Sequence, residues 1–156
     1  KTTPRAESSG TRGGDVLLAP LAMPGGAVNT AGRDLFQLVR MIREELGCNT
    51  VCGASNISFG MPNRHLLDSI FVPMAIAAGM TCAITNPINQ QVRHAIYAAD
   101  VFMGNDESCM NYLVAMRAAA ALAAAEAAAS AGESVATTDA DDRRSARDAR
   151  RASRGS

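Results

Sequence analysis

The chain has 156 residues, enough for one domain around one core. Fifteen Lys and Arg balance fifteen Asp and Glu, so net charge gives no electrostatic case for a nucleic-acid partner or an acidic surface. Aromatics make up 4% and Trp is absent, which leaves Ala, Leu, Ile, Val and Met to supply the packing.

Residues 1–14 (KTTPRAESSGTRGG) hold almost nothing to bury and read as a disordered lead-in. An opening at Lys1 rather than Met fits a fragment or a processed product. Asp15–Met23 (DVLLAPLAM) is a short apolar run closed by Pro24-Gly25-Gly26, which predicts a buried strand and a turn. From Gly32 to Leu46 the spacing is helical, with Leu35, Leu38, Val39, Ile42 and Leu46 on one face and Gly47 as the stop.

A second strand is expected at Thr50–Ser55, then a glycine-bearing bend over Asn56–Gly60. Pro62 or Asn63 should open a helix running through Leu66, Leu67, Ile70, Met74 and Ile76–Ala78, with Pro73 as a kink and Gly79 as the end. A third strand, Thr81–Thr85, stops at Asn86-Pro87. A third helix follows over Asn89–Met103, with Val92, Ile96, Ala99 and Met103 on one side. Asp106 can cap a long helix whose first half, Met110–Met116, is apolar and whose second half is nearly pure alanine, the best intrinsic helix former. Residues 131–156, with six arginines and three aspartates in DDRRSARDARRASRGS, read as a disordered polar tail. The core region is therefore 15–130.

Membrane and metal are both expected to be absent. Ile70–Ile84 is interrupted by Pro73, Gly79 and Thr81, and Ala118–Ala129 is only weakly hydrophobic, so no stretch matches the roughly 18 apolar residues of a span. With no signal peptide at the start, a soluble cytoplasmic protein is the expectation. Cys48, Cys52, Cys82 and Cys109 fit neither a disulfide framework nor paired zinc spacing, and read as free thiols.

Strand and helix recur every 30 to 35 residues, which means parallel β/α units. A closed eight-fold barrel and an open doubly wound sheet both use them. No G-x-G-x-x-G or P-loop follows a strand here. Three units cannot close a barrel, which takes eight and about 250 residues, so a barrel would be partial.

Ligands of parallel β/α proteins meet the carboxyl ends of the strands. Those ends are Met23–Gly26, Ser55–Gly60 and Thr85–Pro87. They offer amides, hydroxyls and glycines and no carboxylate, a kit suited to hydrogen-bonding a flat polar heterocycle rather than to nucleophilic or two-carboxylate catalysis. Asn56 stands out, because its amide both donates and accepts; its ordinary job would be bonding the backbone of its own turn. The same two readings apply to Asn86. Arg64 could hold an anion, or simply be solvated, and His65 and His94 read as surface or packing residues.

The segments GASNISFGMPNR, FVPMAIAAGM, AITNP and AADVFMGNDESCMNYL, within Asp15–Leu113, resemble the seventh and eighth β/α region of the methyltetrahydrofolate:corrinoid methyltransferases. That family shares its pterin-binding barrel with dihydropteroate synthase and the folate domain of cobalamin-dependent methionine synthase. The resemblance implies a fold of class α/β, a partial TIM barrel made of the last three β/α units. It implies an enzyme of one-carbon metabolism that moves the N5-methyl of methyltetrahydrofolate to the Co(I) of a corrinoid (cobalamin) held by a partner protein or domain. Asn56 matches the Asn of the family's S-N-[VI]-S motif, which contacts the pterin near N5; Ser55 and Ser58 match its serines and, with Asn86, would line the substrate site.

One position departs from the pattern. The family's preceding strand reads like I-D-P-L, its Asp holding the pterin's amino and ring N–H groups, and here the stretch is Leu18-Ala19-Pro20-Leu21. Losing such a charge-assisted bond costs about 1.5–3 kcal/mol. Ala19 accordingly favours an alternative, a non-catalytic degenerate module that binds a corrinoid protein or another subunit. A dihydropteroate synthase relative is disfavoured, since that enzyme uses a late Lys and none follows Lys1. Three units also leave open strand edges, so the isolated chain is expected to be inactive and to form a homo-oligomer or join a companion barrel half.

Overall fold

The computed structural model describes residues 10–129; the expected lead-in up to residue 9 and the tail from residue 130 lie outside the described residues. By compactness the chain divides into two units, Lys1–Tyr112 and Leu113–Ser156.

The first unit is a layer of parallel β/α elements. After a 3-10 turn at Gly13–Asp15 come β1 (Leu17–Leu18), α1 (Ala31–Met41), β2 (Asn49–Gly53), α2 (Arg64–Ala77), β3 (Cys82–Ile84) and α3 (Gln90–Met103). The sheet order is β1-β2-β3, and both pairings are parallel. The strands are shorter than the apolar runs in the sequence. β1 pairs through only two residues, because Ala19-Pro20 leads the chain away and Pro20 has no N–H for a ladder.

Residues alternate faces along a strand. Thr50, Cys52 and Ala83 share the face that meets the helices, where Cys52 packs in one core with Leu35 and Val39 of α1, Phe71, Val72 and Ala75 of α2, and the half-buried Ile96 of α3. Val39 and Val72 are buried completely or nearly so, each contributing about 1.5–3 kcal/mol. The opposite face carries Leu17, Val51, Cys82 and Ile84, and Leu17 and Ile84 remain 55% and 67% exposed.

Helix ends follow local chemistry. α1 continues as a π-turn, Ile42–Leu46, and stops at Gly47, whose φ of 61° is left-handed. Asn89 caps α3 by accepting the Val92 N–H at 3.0 Å. Pro73 sits inside α2 without ending it. The apolar stripes were less legible. Leu38 and Leu46 lie outside the core, and α2 buries Asp68, Ser69, Phe71 and Val72 while Ile70 and Met74 are exposed. That helix is apolar nearly all round, so spacing alone does not select its inner face.

After a 3-10 turn at Glu107–Cys109, α4 occupies residues 110–129. Asp106 caps it, its carboxylate accepting the N–H groups of Asn111 at 3.0 Å and Tyr112 at 2.9 Å. The sequence expectation about membranes needs correcting here. Glu107–Ala129 is long and apolar enough, by length and composition, to cross a membrane. Core helices of soluble proteins meet the same criterion, but those are mostly buried, and this one is not.

Candidate functional site

Past Gly53 the chain turns through a 3-10 turn, Ala54–Asn56. Ala54 is fully buried in the core and anchors this turn, Ser55 is half-buried, and Asn56 is exposed. Gly53 has an ordinary φ of −72°, so its backbone does not require glycine. A Cβ there would stand 3.0 Å from Asn56 Nδ2, however, so the Asn56 side chain lies back over the strand end in space that only glycine leaves. Among the described residues, none forms a hydrogen bond with the Asn56 side-chain amide.

The loop after Asn56 is a run of tight turns, with Phe59 N–H donating to Asn56 O at 3.1 Å and Met61 N–H to Ser58 O at 3.0 Å. Gly60, at φ +77°, supplies the left-handed residue these turns need. Ser58 is fully buried, and its Oγ donates to Ser55 O at 3.2 Å. Arg64, the first residue of α2, donates from Nε to Ser58 Oγ at 3.1 Å and from Nη2 to Ser55 O at 2.8 Å. Its guanidinium also lies 5.8 Å from the centre of the Phe59 ring. Gly25, in the loop after β1, donates to Ile57 O at 2.8 Å, which joins the first two rim loops.

The loop after β3 is built differently. Asn86 Oδ1 accepts the Ile88 N–H at 3.0 Å, and Arg93 Nη1 donates to Pro87 O at 3.1 Å. Thr85 Oγ1 is buried with no partner among the described residues.

Ser55, Asn56 and Ser58 thus share one loop, and Asn86 sits on the next loop at the same carboxyl-end rim; the 54–56 turn packs against β3. Ser58 is spent on holding the loop, and the Asn86 oxygen is spent on its own turn, the ordinary reading for such a residue. Ala19, just past β1, is exposed and brings only a methyl to this rim. Arg64 is not a free cation but a brace. Its position in the first turn of a helix was legible, yet the acceptors it reaches were not, because they become neighbours only through the turns at 55–61.

Two grooves flank these elements. One of about 340 Å³ between α1 and α2 is apolar, lined by Phe36, Ile57, Met61, Ile70 and Met74 among others. The other, of about 390 Å³, lies where α2, β3 and α3 meet and includes Cys82 and Asp100. Neither is lined by Ser55, Asn56, Ser58 or Asn86.

All four cysteines are free. Burial pushes the Cys52 thiol above its ordinary range, with nearby Cys82 adding to the effect. The N–H groups of Tyr112 and Asn111 hold the Asp106 carboxyl below its ordinary value. Among the described residues no three His, Cys, Asp or Glu side chains come together as a metal ion would require.

The first unit therefore belongs to the broad class of parallel β/α layers with a polar rim at the carboxyl ends of the strands. No family model matches the chain. Among curated proteins it is similar to the methylcorrinoid:tetrahydrofolate methyltransferase of Eubacterium limosum, at 40% identity over 65 residues, or 42% of this chain and 24% of that protein. The match thus spans about a quarter of the relative's length.

Proposed function

We propose that this chain supplies three consecutive β/α units of a (β/α)8 pterin-binding barrel that transfers a methyl group between N5 of tetrahydrofolate and the cobalt of a corrinoid. The observation that carries the reading is Asn56, an exposed amide with no hydrogen-bond partner among the described residues, at the carboxyl end of a central parallel strand. The similarity to a methylcorrinoid:tetrahydrofolate methyltransferase supports it independently. So does the bare sheet face. Parallel sheets are normally covered on both sides, and among the described residues helices cover only the Cys52 side. Consecutive strand order with the connecting helices packed in one core matches a barrel better than a doubly wound sheet, which places helices on both faces.

The relative's name makes the methylcorrinoid the donor, whereas the sequence resemblance makes methyltetrahydrofolate the donor. Both directions share one transition state, so the same residues serve either. The corrinoid supplies the cobalt that takes or gives the methyl. The protein's task is at N5, which needs positive character, by protonation or a tightening hydrogen bond, to release the carbon, and sheds a proton when it is methylated. The Asn56 amide can donate or accept there, and a bond stronger in the transition state than in the ground state lowers the barrier. The residues present fit a pterin in part, because Asn56 is available and Ala19 brings no carboxylate to the ring's N–H groups.

The test is methyl exchange between [methyl-13C]methylcobalamin and tetrahydrofolate, read by the cobalamin spectrum and by 13C at N5. The protein to use is the longest form containing this chain. Removing one preorganised donor typically costs about 10²–10³ in kcat, the loss expected for Asn56→Ala. Equal turnover in both proteins would remove Asn56 from the chemistry. The non-catalytic alternative, favoured by Ala19, predicts corrinoid-protein binding with no methyl exchange in either.

A further inference from the structure

We propose that Arg64 is a positioning residue for Asn56, clamping the loop on both sides of it; the chemistry that Asn56 then performs rests on the methyl-transfer reading above. The clamp brackets its target. Arg64 holds Ser55 O, just before Asn56, at 2.8 Å and Ser58 Oγ, two residues after it, at 3.1 Å. The Ser58 hydroxyl closes the triangle by donating to Ser55 O at 3.2 Å. Because Ser58 is fully buried, water cannot readily replace its bond. A planar guanidinium presents its donors as a rigid fork, so it can fix two acceptors at once, whereas a lysine ammonium is a single point on a flexible stem. The fork is itself anchored, since Arg64 opens α2, which is rooted in the core through Phe71, Val72 and Ala75.

Without the clamp, the path from Gly53 to Arg64 is held, among the described residues, by the packing of Ala54 and Ile57 on the core, its short turns and the Gly25–Ile57 bond, with a left-handed glycine at its tip. Asn56 has no side-chain partner among the described residues to hold its amide in place. Misplacement of a catalytic group by about 1 Å can cost about 10²-fold, so a loop brace is a kinetic device as well as a structural one.

The experiment follows amide hydrogen exchange in the full chain at Phe59 and Met61, whose N–H groups close the turns on Asn56 and Ser58. Arg64→Ala should speed exchange at both by about tenfold or more while leaving the Val92 amide in α3 unchanged. Arg64→Lys, which reaches only one acceptor, should fall between it and the wild type. Ser58→Ala should shift the same two amides in the same direction by less. In the assembly that turns over, Arg64→Ala should lower kcat by about tenfold or more with the folate KM within about threefold, and Arg64→Lys should recover part of the loss. Wild-type exchange at Phe59 and Met61 in Arg64→Ala overturns the clamp. Should that variant not fold, wild-type exchange in both Arg64→Lys and Ser58→Ala overturns it equally. If Asn56→Ala retains full turnover while Arg64→Ala still loosens the loop, the methyl-transfer role of Asn56 fails and the clamp stands.

Discussion

The loops after β2 and β3 occupy the same rim and both carry an asparagine, yet they treat it in opposite ways. After β2 the neighbours do the holding. Arg64 and Ser58 brace the backbone, Gly25 ties it to the loop after β1, and the Asn56 amide stays unspent. After β3 the asparagine does the holding itself, its Oδ1 taken by the Ile88 N–H, and Ile88 is left 82% exposed. An amide kept free by a braced loop is equipped to meet a ligand; an amide that makes its own turn is equipped to shape the chain. The residue type is identical, and the surroundings decide the role.

The sharpest way to break this comparison is to exchange the two residues' fates. Against the large loss expected for Asn56→Ala, Asn86→Ala should change methyl-transfer turnover by no more than about threefold and should instead cost about 0.5–1.5 kcal/mol of stability in urea. A reversed ranking would move the site to the β3 loop. Gly53→Ala comes next. Its new Cβ crowds Asn56 Nδ2 at 3.0 Å, so turnover should fall by about tenfold, while stability holds or rises by about 0.5–1 kcal/mol because alanine restricts the unfolded chain. Loss of stability together with activity would point instead to a packing role for the glycine. Asn89→Ala removes only the α3 cap, and should lower stability by about 1 kcal/mol with turnover untouched.

The smallest effect is electrostatic and lies away from the rim. The Asp106 carboxyl is held below its ordinary value by the N–H groups of Tyr112 and Asn111. Its contribution is therefore present above the unfolded-state pKa, and is lost as pH falls through the lowered folded-state value. Helix content followed by circular dichroism should drop over that acid range in the wild type, and Asp106→Asn should flatten that part of the profile.

Strand and helix order, the glycine stop at Gly47 and the aspartate cap at Asp106 were all legible in the sequence, because each depends on residues within a few positions of one another. The candidate loop was legible as a motif: the apolar run ending at Ser55 and the bend after it put Ser55, Asn56 and Ser58 together at a strand end. Which face of α2 turns inward was not legible, since Ile70 and Met74 are as apolar as Phe71 and Val72, and only the packed neighbours choose between them. The shortness of β1, and the bare side of the sheet, likewise depend on which partners are present.

By itself, then, the sequence determined the alternation of parallel β/α units and the set of polar side chains at the strand ends, because local spacing and turn chemistry act at short range. Only the tertiary structure decided that Arg64 is a brace, that Gly53 leaves room for the Asn56 amide, and that the Asn86 oxygen bonds its own turn. Those roles depend on distances of about 3 Å between groups, and chain folding, rather than sequence position, sets such distances.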